Sequence, residues 1–400
     1  MMTTRVDLNQ DVHELTPGMI ALRRELHQHP ELAFEEVCTA ATLAGRMKAL
    51  GLAVQEGLGG TGVLAVLEGG KPGKTLLIRA DLDALPMEDA TGKAYASKLA
   101  NRNHACGHDA HAAVVVGVAE VLVRHRDRIA GRIAFVFQPA DEPMRGAQRM
   151  IEDGLLERVK PDMSLSMHVL PMAYTGQAVV QTGPIWASRD ELTLKVSGRS
   201  PSGGAPSTVD FARTAAQLTT ALYDLVEHEG QSTENVTFRV RSLQAEQGGP
   251  VWLGGSRGEP DQAAIEVNLA LYDNALRARL LGRIEEVSRA IISAAGGTLC
   301  IEVDYALPAL VNDDSVTGAL EQAAQQVIGQ ANIIKNWRNP FSDDFGLFMA
   351  AAPGCLMLLG TANPDKGITE SWHRPGFDID EDALPVGVQI MALAALDLLQ

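Results

Sequence analysis

The stretch His104-Ala-Cys-Gly-His-Asp-Ala-His111 places three imidazoles, one thiol and one carboxylate within eight residues, directly ahead of apolar sequence with helical character. Neutral imidazole and thiolate suit a borderline-soft divalent ion such as zinc, and equally manganese, cobalt or nickel. A lone His-x-x-His pair would more simply cap a helix, but ligand-type residues recur along this chain. Arg79-Ala-Asp-Leu-Asp83 offers Asp81 and Asp83 two residues apart, on one side of an extended strand end. Asp141-Glu142 offers adjacent carboxylates, so that one can bind metal while the other faces a water. His168 stands between Met167 and Val169, and His373 lies in Ser371-Trp-His-Arg-Pro-Gly-Phe377. A hydrolytic metal site needs ligands, a base beside the water it activates, and open coordination positions. Taken singly, these segments read as turn caps, solvated loops or a core histidine; their recurrence favours a site for one or two divalent ions.

The elements that must hold these residues alternate between short apolar strands and helices. Helices are expected over 17–26 and 35–50, strands over 63–67 and 75–78, and a buried helix of Ala, Val and Gly over 110–123. Strands at 133–137 and 163–167 follow. This is an α/β pattern with a largely parallel sheet and flanking helices, in which Gln138, Asp141, Glu142 and His168 fall just beyond strand ends, where such folds place ligands. From residue 188 the order changes to strand 192–196, helix 209–229, strands 236–243 and 264–272, helix 274–295 and strand 299–306. That βαββαβ order describes a ferredoxin-like α+β layer. The α/β pattern resumes with a helix at 316–328, a strand at 355–359 and a helix at 383–399. The expected organisation is therefore a catalytic domain of residues 1–187 and 305–400, interrupted by an inserted domain of residues 188–304.

A formal net charge of −16 argues against nucleic acid as a partner, because phosphates need a basic surface. The substrate is expected to be a small molecule, whose charge the global balance does not decide, since a metal ion makes its own pocket locally positive. The four cysteines are widely spaced, unlike a disulfide framework. No run is apolar enough to span a bilayer, and the first residues lack the basic-then-apolar order of a signal peptide, so no membrane partner and a cytoplasmic location are expected.

These motifs carry a resemblance. Leu26-His-Gln-His-Pro-Glu-Leu-Ala-Phe-Glu-Glu36, Arg79 to Pro86, His104 to His111, Phe137-Gln-Pro-Ala140 with Glu142, and His373-x-Pro-x-Phe377 with Asp380-Glu381 resemble a dinuclear metallopeptidase family that includes aminoacylases, carboxypeptidases and hippurate hydrolases. The chain is most similar to its amidohydrolase branch. The resemblance implies metal ligands at Cys106, His108, Glu142, His168 and His373, with Cys106 in the bridging place that an aspartate holds in the peptidases. It implies Asp83 as the orienting carboxylate, with Asp81 where relatives have a histidine ligand. The inserted layer resembles the family's lid, which implies a homo-oligomer formed through that domain. The implied reaction is C–N hydrolysis: water activated at the metal attacks, a carboxylate takes its proton, and the leaving nitrogen receives it.

The chain also departs from the pattern. The family's general base is a glutamate, and Asp141 stands there, one methylene shorter; a misplacement of that size can reduce rate on the order of a hundredfold. In the lid, Ser202 occupies the place of a histidine that reaches the partner subunit, and Ala270 that of an arginine. Those groups polarise the scissile carbonyl or clamp a substrate carboxylate, and each such contact contributes roughly a few kcal/mol. A kept metal centre with a changed clamp points first to an aminohydrolase that releases ammonia from an activated aromatic amine such as 5-nitroanthranilate. Trp186, Trp252, Trp337 and Phe341 are then candidate ring contacts, and Arg189, Arg199 and Arg257 candidate carboxylate binders. The alternatives are an N-acyl-amino-acid amidohydrolase of hippurate type and, in another class, a non-catalytic metal- or ligand-binding relative.

Overall fold

The computed structural model describes residues 7–198, 209–230, 236–246 and 262–400. The chain divides into two compact units. One runs to Ile185 and resumes as Val311–Arg338 and Asp343–Gln400; the other is Trp186–Leu310 with Asn339–Ser342. The return of Asn339–Ser342 to the inserted unit has no counterpart in the sequence pattern.

The first unit is built on an eight-stranded sheet in the spatial order Ala53–Leu58, Gly62–Glu68, Ala130–Gln138, Lys71–Asp81, Met163–Tyr174, Gly354–Ala362, Ala178–Val179, Ile333–Ile334. The four longest strands at its centre run parallel to one another. The pairings that flank them, to Gly62–Glu68 on one side and Ala178–Val179 on the other, are antiparallel. Continuous apolar runs such as Phe135-Val136-Phe137 and Leu356 to Leu359 are buried throughout, as expected of strands covered on both faces.

Helices Asn9–Gln28, His108–Arg124 and Ala383–Leu398 pack against one another beside this sheet. Helix His108–Arg124 is almost wholly buried, which its Ala, Val and Gly composition permits. Gly117 lets the first helix approach closely, because a Cβ there would lie 2.5 Å from the Met19 sulfur. The first helix begins at Asn9, not at residue 17. Pro17 sits inside it, and buried Leu8 and Val12 extend the apolar stripe upstream of the proline. The strand expected at 163–167 continues to Tyr174, so His168 lies within it, opposite Leu358, instead of just beyond its end. Pairing to Gly354–Ala362 keeps the backbone extended past the histidine.

The second unit is a four-stranded antiparallel sheet in the order Gly297–Leu307, Arg189–Gly198, Gln262–Leu271, Val236–Glu246, with helices Phe211–Glu229 and Asn274–Ala294 on one face. Strict alternation buries Leu192, Leu194 and Val196 on one strand, and Ala263, Ile265, Val267 and Leu269 on the next, against Leu218, Leu222, Leu280 and Ile284 of the helices. Asp210 and Asp273 cap the two helices, accepting the backbone N–H of Arg213 and of Ala275 and Leu276 respectively. The first and last strands are hydrogen-bonded neighbours, with Arg189 opposite Leu307 and Gly198 opposite Gly297. Among the described residues no helix is long and apolar enough to cross a membrane.

Candidate metal centre

Three neighbouring parallel strands end on the same side of the sheet and carry the acidic and imidazole residues singled out above. Lys71–Asp81 leads to Asp81 and Asp83, Ala130–Gln138 leads to Asp141 and Glu142, and Met163–Tyr174 carries His168. Cys106 and His108 arrive at the N-terminus of helix His108–Arg124 through Gly107, whose φ of 89° lies in the left-handed region. A Cβ at Gly107 would stand 2.5 Å from Val169 Cγ2, so both backbone conformation and space require glycine. His373 arrives from the C-terminal part of the chain; its backbone N–H donates to the Ala105 carbonyl at 2.9 Å.

The structure brings the five residues together as two trios that share one sulfur. Cys106, His108 and His168 each offer a donor atom within 4.8 Å of the others, and so do Cys106, Glu142 and His373. Cys106 Sγ lies 3.5 Å from His168 Nε2, Glu142 Oε2 is 3.6 Å from His373 Nε2, and Glu142 Oε1 is 3.9 Å from His108 Nε2. All except His373 are buried or nearly so.

The groups behind the donors fix their orientation. His168 Nδ1 donates to the Val169 carbonyl at 2.8 Å, which leaves Nε2 unprotonated towards the sulfur. His108 Nδ1 lies 3.3 Å from Asp83 Oδ1, an ion-pair separation without hydrogen-bond alignment. The same Asp83 carboxylate accepts the backbone N–H groups of Asp141 and Glu142 at 2.9 and 3.0 Å. Asp83 therefore ties the helix-start imidazole to the loop that carries the acidic pair. Asp81, His108 and His111 also lie within 4.8 Å of one another. His111 is nonetheless closed to an ion, because its Nε2 accepts the Val169 N–H at 2.9 Å and its Nδ1 donates to Asp81 Oδ1 at 2.6 Å. Asp109 is held by Arg23 at 2.9 Å and His27 at 2.6 Å and fastens the helix start to the first helix. His104 is buried beside it, and burial drives its imidazole down to about 3.

The electrostatics of the five donors call for a positive charge. Burial pushes Glu142 up to about 8, reinforced by Asp83 and Asp141. Burial, then Glu142, raises the Cys106 thiol well above its usual range. His108 is opposed by burial yet is carried well above an ordinary histidine by Asp81, Cys106 and Asp83, whereas burial and His111 hold His168 neutral. Glu142 Oε1 and His108 Nε2 have no hydrogen-bond partner despite burial. Orphaned buried donors of this kind, with thiolate, imidazole and carboxylate chemistry, fit one or two divalent transition-metal ions.

Asp141 shows why its neighbourhood was only partly legible. Its Oδ1 accepts from Arg79 Nη2, and its Oδ2 lies 3.8 Å from His108 Nε2. Arg79 is fully buried; its Nε donates to Gln138 Oε1 at 3.0 Å and its Nη1 to Asp81 Oδ2 at 2.6 Å. Asp343 and Asp344 each place an oxygen 3.3 Å from Nη2. With several carboxylates around one guanidinium, burial raises Asp343 to about 7 and Asp344 well above its usual range. The pair Asp343-Asp344 has no functional signature in the sequence. Its only signal is two adjacent acids directly before the apolar helix Phe345–Ala351.

The candidate ring contacts and carboxylate binders, with Ala270 and Ser202, are placed as follows. Arg189 is ion-paired to Glu191 at 2.7 Å and stacks over Tyr305, so its guanidinium has a partner within its own unit. Trp186 is buried, Trp337 is half-buried with its backbone N–H on Gln181 Oε1, and Phe341 is exposed. Ala270 lies on strand Gln262–Leu271, opposite Thr237. Arg199, Ser202, Trp252 and Arg257 lie outside the described residues.

Comparison with known proteins places the chain among metal-dependent hydrolases. Residues 77–397 match the model of peptidase family M20/M25/M40. A thermostable carboxypeptidase of Saccharolobus solfataricus is 30% identical over 97% of both chains. N-acetylcysteine deacetylase of Bacillus subtilis is 31% identical over 96% of this chain and 97% of its own. A crystal structure from Bacillus subtilis, described as a dinuclear metal-binding peptidase of the M20 family, aligns with a TM-score of 0.78 at 29% identity, covering 97% of this chain and 99% of that one.

Proposed function

Because the chain belongs to peptidase family M20/M25/M40 and is a metal-dependent hydrolase of C–N bonds, we propose that it hydrolyses the amide of small N-acyl amino acids with two divalent ions. The observation that carries this reading is the pair of donor trios sharing Cys106 Sγ, with Asp141 Oδ2 beside them. Cys106, His108 and His168 would hold one ion; Cys106, Glu142 and His373 would hold the other. Ions bound there supply Lewis acidity that polarises a carbonyl and acidifies water. Asp141 Oδ2 accepts the proton of the attacking water and passes it to the leaving nitrogen, while Asp83 keeps His108 aimed and the acidic loop in place. Carboxypeptidase and N-acetylcysteine deacetylase both name reactions in which the bond broken is an amide, which supports this substrate class. Self-association through the inserted unit is part of the proposal, and light scattering of the purified protein tests it.

A second reading, release of ammonia from an activated aromatic amine, is favoured by Asp141 in the place of a glutamate base and by Ala270 on the lid strand. One panel separates them. Protein loaded with Mn, Zn, Co or Ni is given N-acetyl and N-benzoyl amino acids and nitro-substituted 2-aminobenzoates, with free amino acid and ammonia measured. Amino-acid release supports the first reading; ammonia release alone replaces it with the second. Turnover of neither, with metal bound, leaves a binding protein.

A further inference from the structure

We propose that Arg79 is a positioning residue for catalysis, setting the reach and direction of the Asp141 carboxylate through a guanidinium locked into the central strand. This rests on the reading of Asp141 as the proton acceptor. Arg79 lies on the strand Lys71–Asp81, which is paired on both sides, with Val136 and Ser166 as its neighbours across the ladder. Its fork is occupied on every nitrogen: Nε by Gln138 at 3.0 Å, Nη1 by Asp81 at 2.6 Å, and Nη2 by Asp141 Oδ1, with Asp343 and Asp344 at 3.3 Å.

The outer ends of that fork are themselves anchored. Asp344 accepts Gln138 Nε2 at 2.7 Å and the Ala147 N–H at 2.9 Å, and Asp343 accepts the Phe345 N–H at 2.7 Å. A planar guanidinium engaged at several points has no rotational freedom left. It takes Asp141 by one oxygen, and the other oxygen is the one 3.8 Å from His108 Nε2. A carboxylate on a short side chain reaches less far than a glutamate, and one pinned oxygen removes the conformers in which it would turn away. Asp81 extends the same lock to His111 and thence to the backbone of Val169, beside His168.

Arg79→Lys and Asp141→Asn, alone and together, test this in the metal-loaded enzyme. Arg79→Lys keeps a positive charge but loses the fork. It is expected to retain full metal content and a KM within about threefold, while kcat falls ~10–100-fold, the scale of an ångström-sized misplacement of a reacting group. In the Asp141→Asn background the same change should alter kcat less than about twofold, because nothing remains to position. Equal loss of kcat in both backgrounds, or a kcat for Arg79→Lys equal to wild type, overturns the proposal. Asp141→Asn with wild-type kcat would remove the proton-acceptor reading itself, a separate result. Should Arg79→Lys not fold, Gln138→Met removes the acceptor at Nε and keeps the arginine. It should show the same dependence on Asp141 with a loss of about 3–10-fold.

Discussion

Replacing Asp83 by alanine should separate metal affinity from catalysis in a measurable way. Its carboxylate meets three groups: His108 Nδ1 at 3.3 Å and the backbone N–H groups of Asp141 and Glu142 at 2.9 and 3.0 Å. Asp83→Ala leaves those two N–H donors without their acceptor, and a buried donor stripped of its partner costs about 1–3 kcal/mol. Both donors are only part-buried, so the metal-free protein should lose roughly 1–3 kcal/mol in all, read as a fall in the urea midpoint with unchanged slope. The ring of His108 also loses its orienting anion, and removal of a group behind a metal ligand weakens metal binding about 10–100-fold. Titration with Mn or Zn by calorimetry, alongside metal analysis of the dialysed protein, reads that second effect. Adding excess metal should recover much of the activity, since the five donors and Asp141 remain. Wild-type metal affinity in Asp83→Ala, with only stability reduced, would show that this carboxylate merely closes a loop and plays no part in aiming His108.

Two further outcomes follow from the site. Gly107→Ala forces a side chain into a backbone with φ 89° and a Cβ to 2.5 Å from Val169 Cγ2; the expected loss is about 2–4 kcal/mol in thermal unfolding, with metal content reduced, and a wild-type melting temperature would refute the packing described here. Glu142 is raised by burial to about 8 from 4.5, so folding favours its protonated form. The stability this gives the metal-free protein is complete below 4.5 and is lost as pH rises towards 8. Metal-free Glu142→Gln should consequently match wild type near pH 4.5 and exceed it near pH 8.5, and metal uptake by wild type below pH 8 should release protons; a wild type as stable as the variant at pH 8.5 would contradict it.

The parts of the fold that the sequence disclosed are those written in periodicity. Alternation in the strands from Arg189 to Leu307 and the amphipathic helices between them are visible residue by residue, because one face of that sheet is buried by helices. The candidate metal donors are named by the family resemblance; spacing alone marks the octet His104 to His111 as metal-binding in type without saying which of its members would bind. Arg79, Asp343 and Asp344 are not legible, since a buried ion cluster depends on residues more than 260 positions apart meeting across strands, which no local spacing encodes. His168 shows the opposite failure. Its residue type is informative and its place is not, because a histidine interrupting an apolar run looks like the end of a strand even where cross-strand pairing continues.

The inserted unit begins and ends on two strands that lie side by side, Arg189 facing Leu307. In the other unit, strands Met163–Tyr174 and Gly354–Ala362 must pair in parallel although the whole insertion intervenes. An unfolded connection of that length would make this pairing slow, because the chain must find its own far end before any contact rewards the search. A unit whose first and last strands pair returns the chain beside its starting point, so the loop left to close is the segments 175–188 and 308–353 instead of the whole insertion. The layer thus acts as a staple on the polypeptide, shortening the effective loop that the parallel pairing has to close.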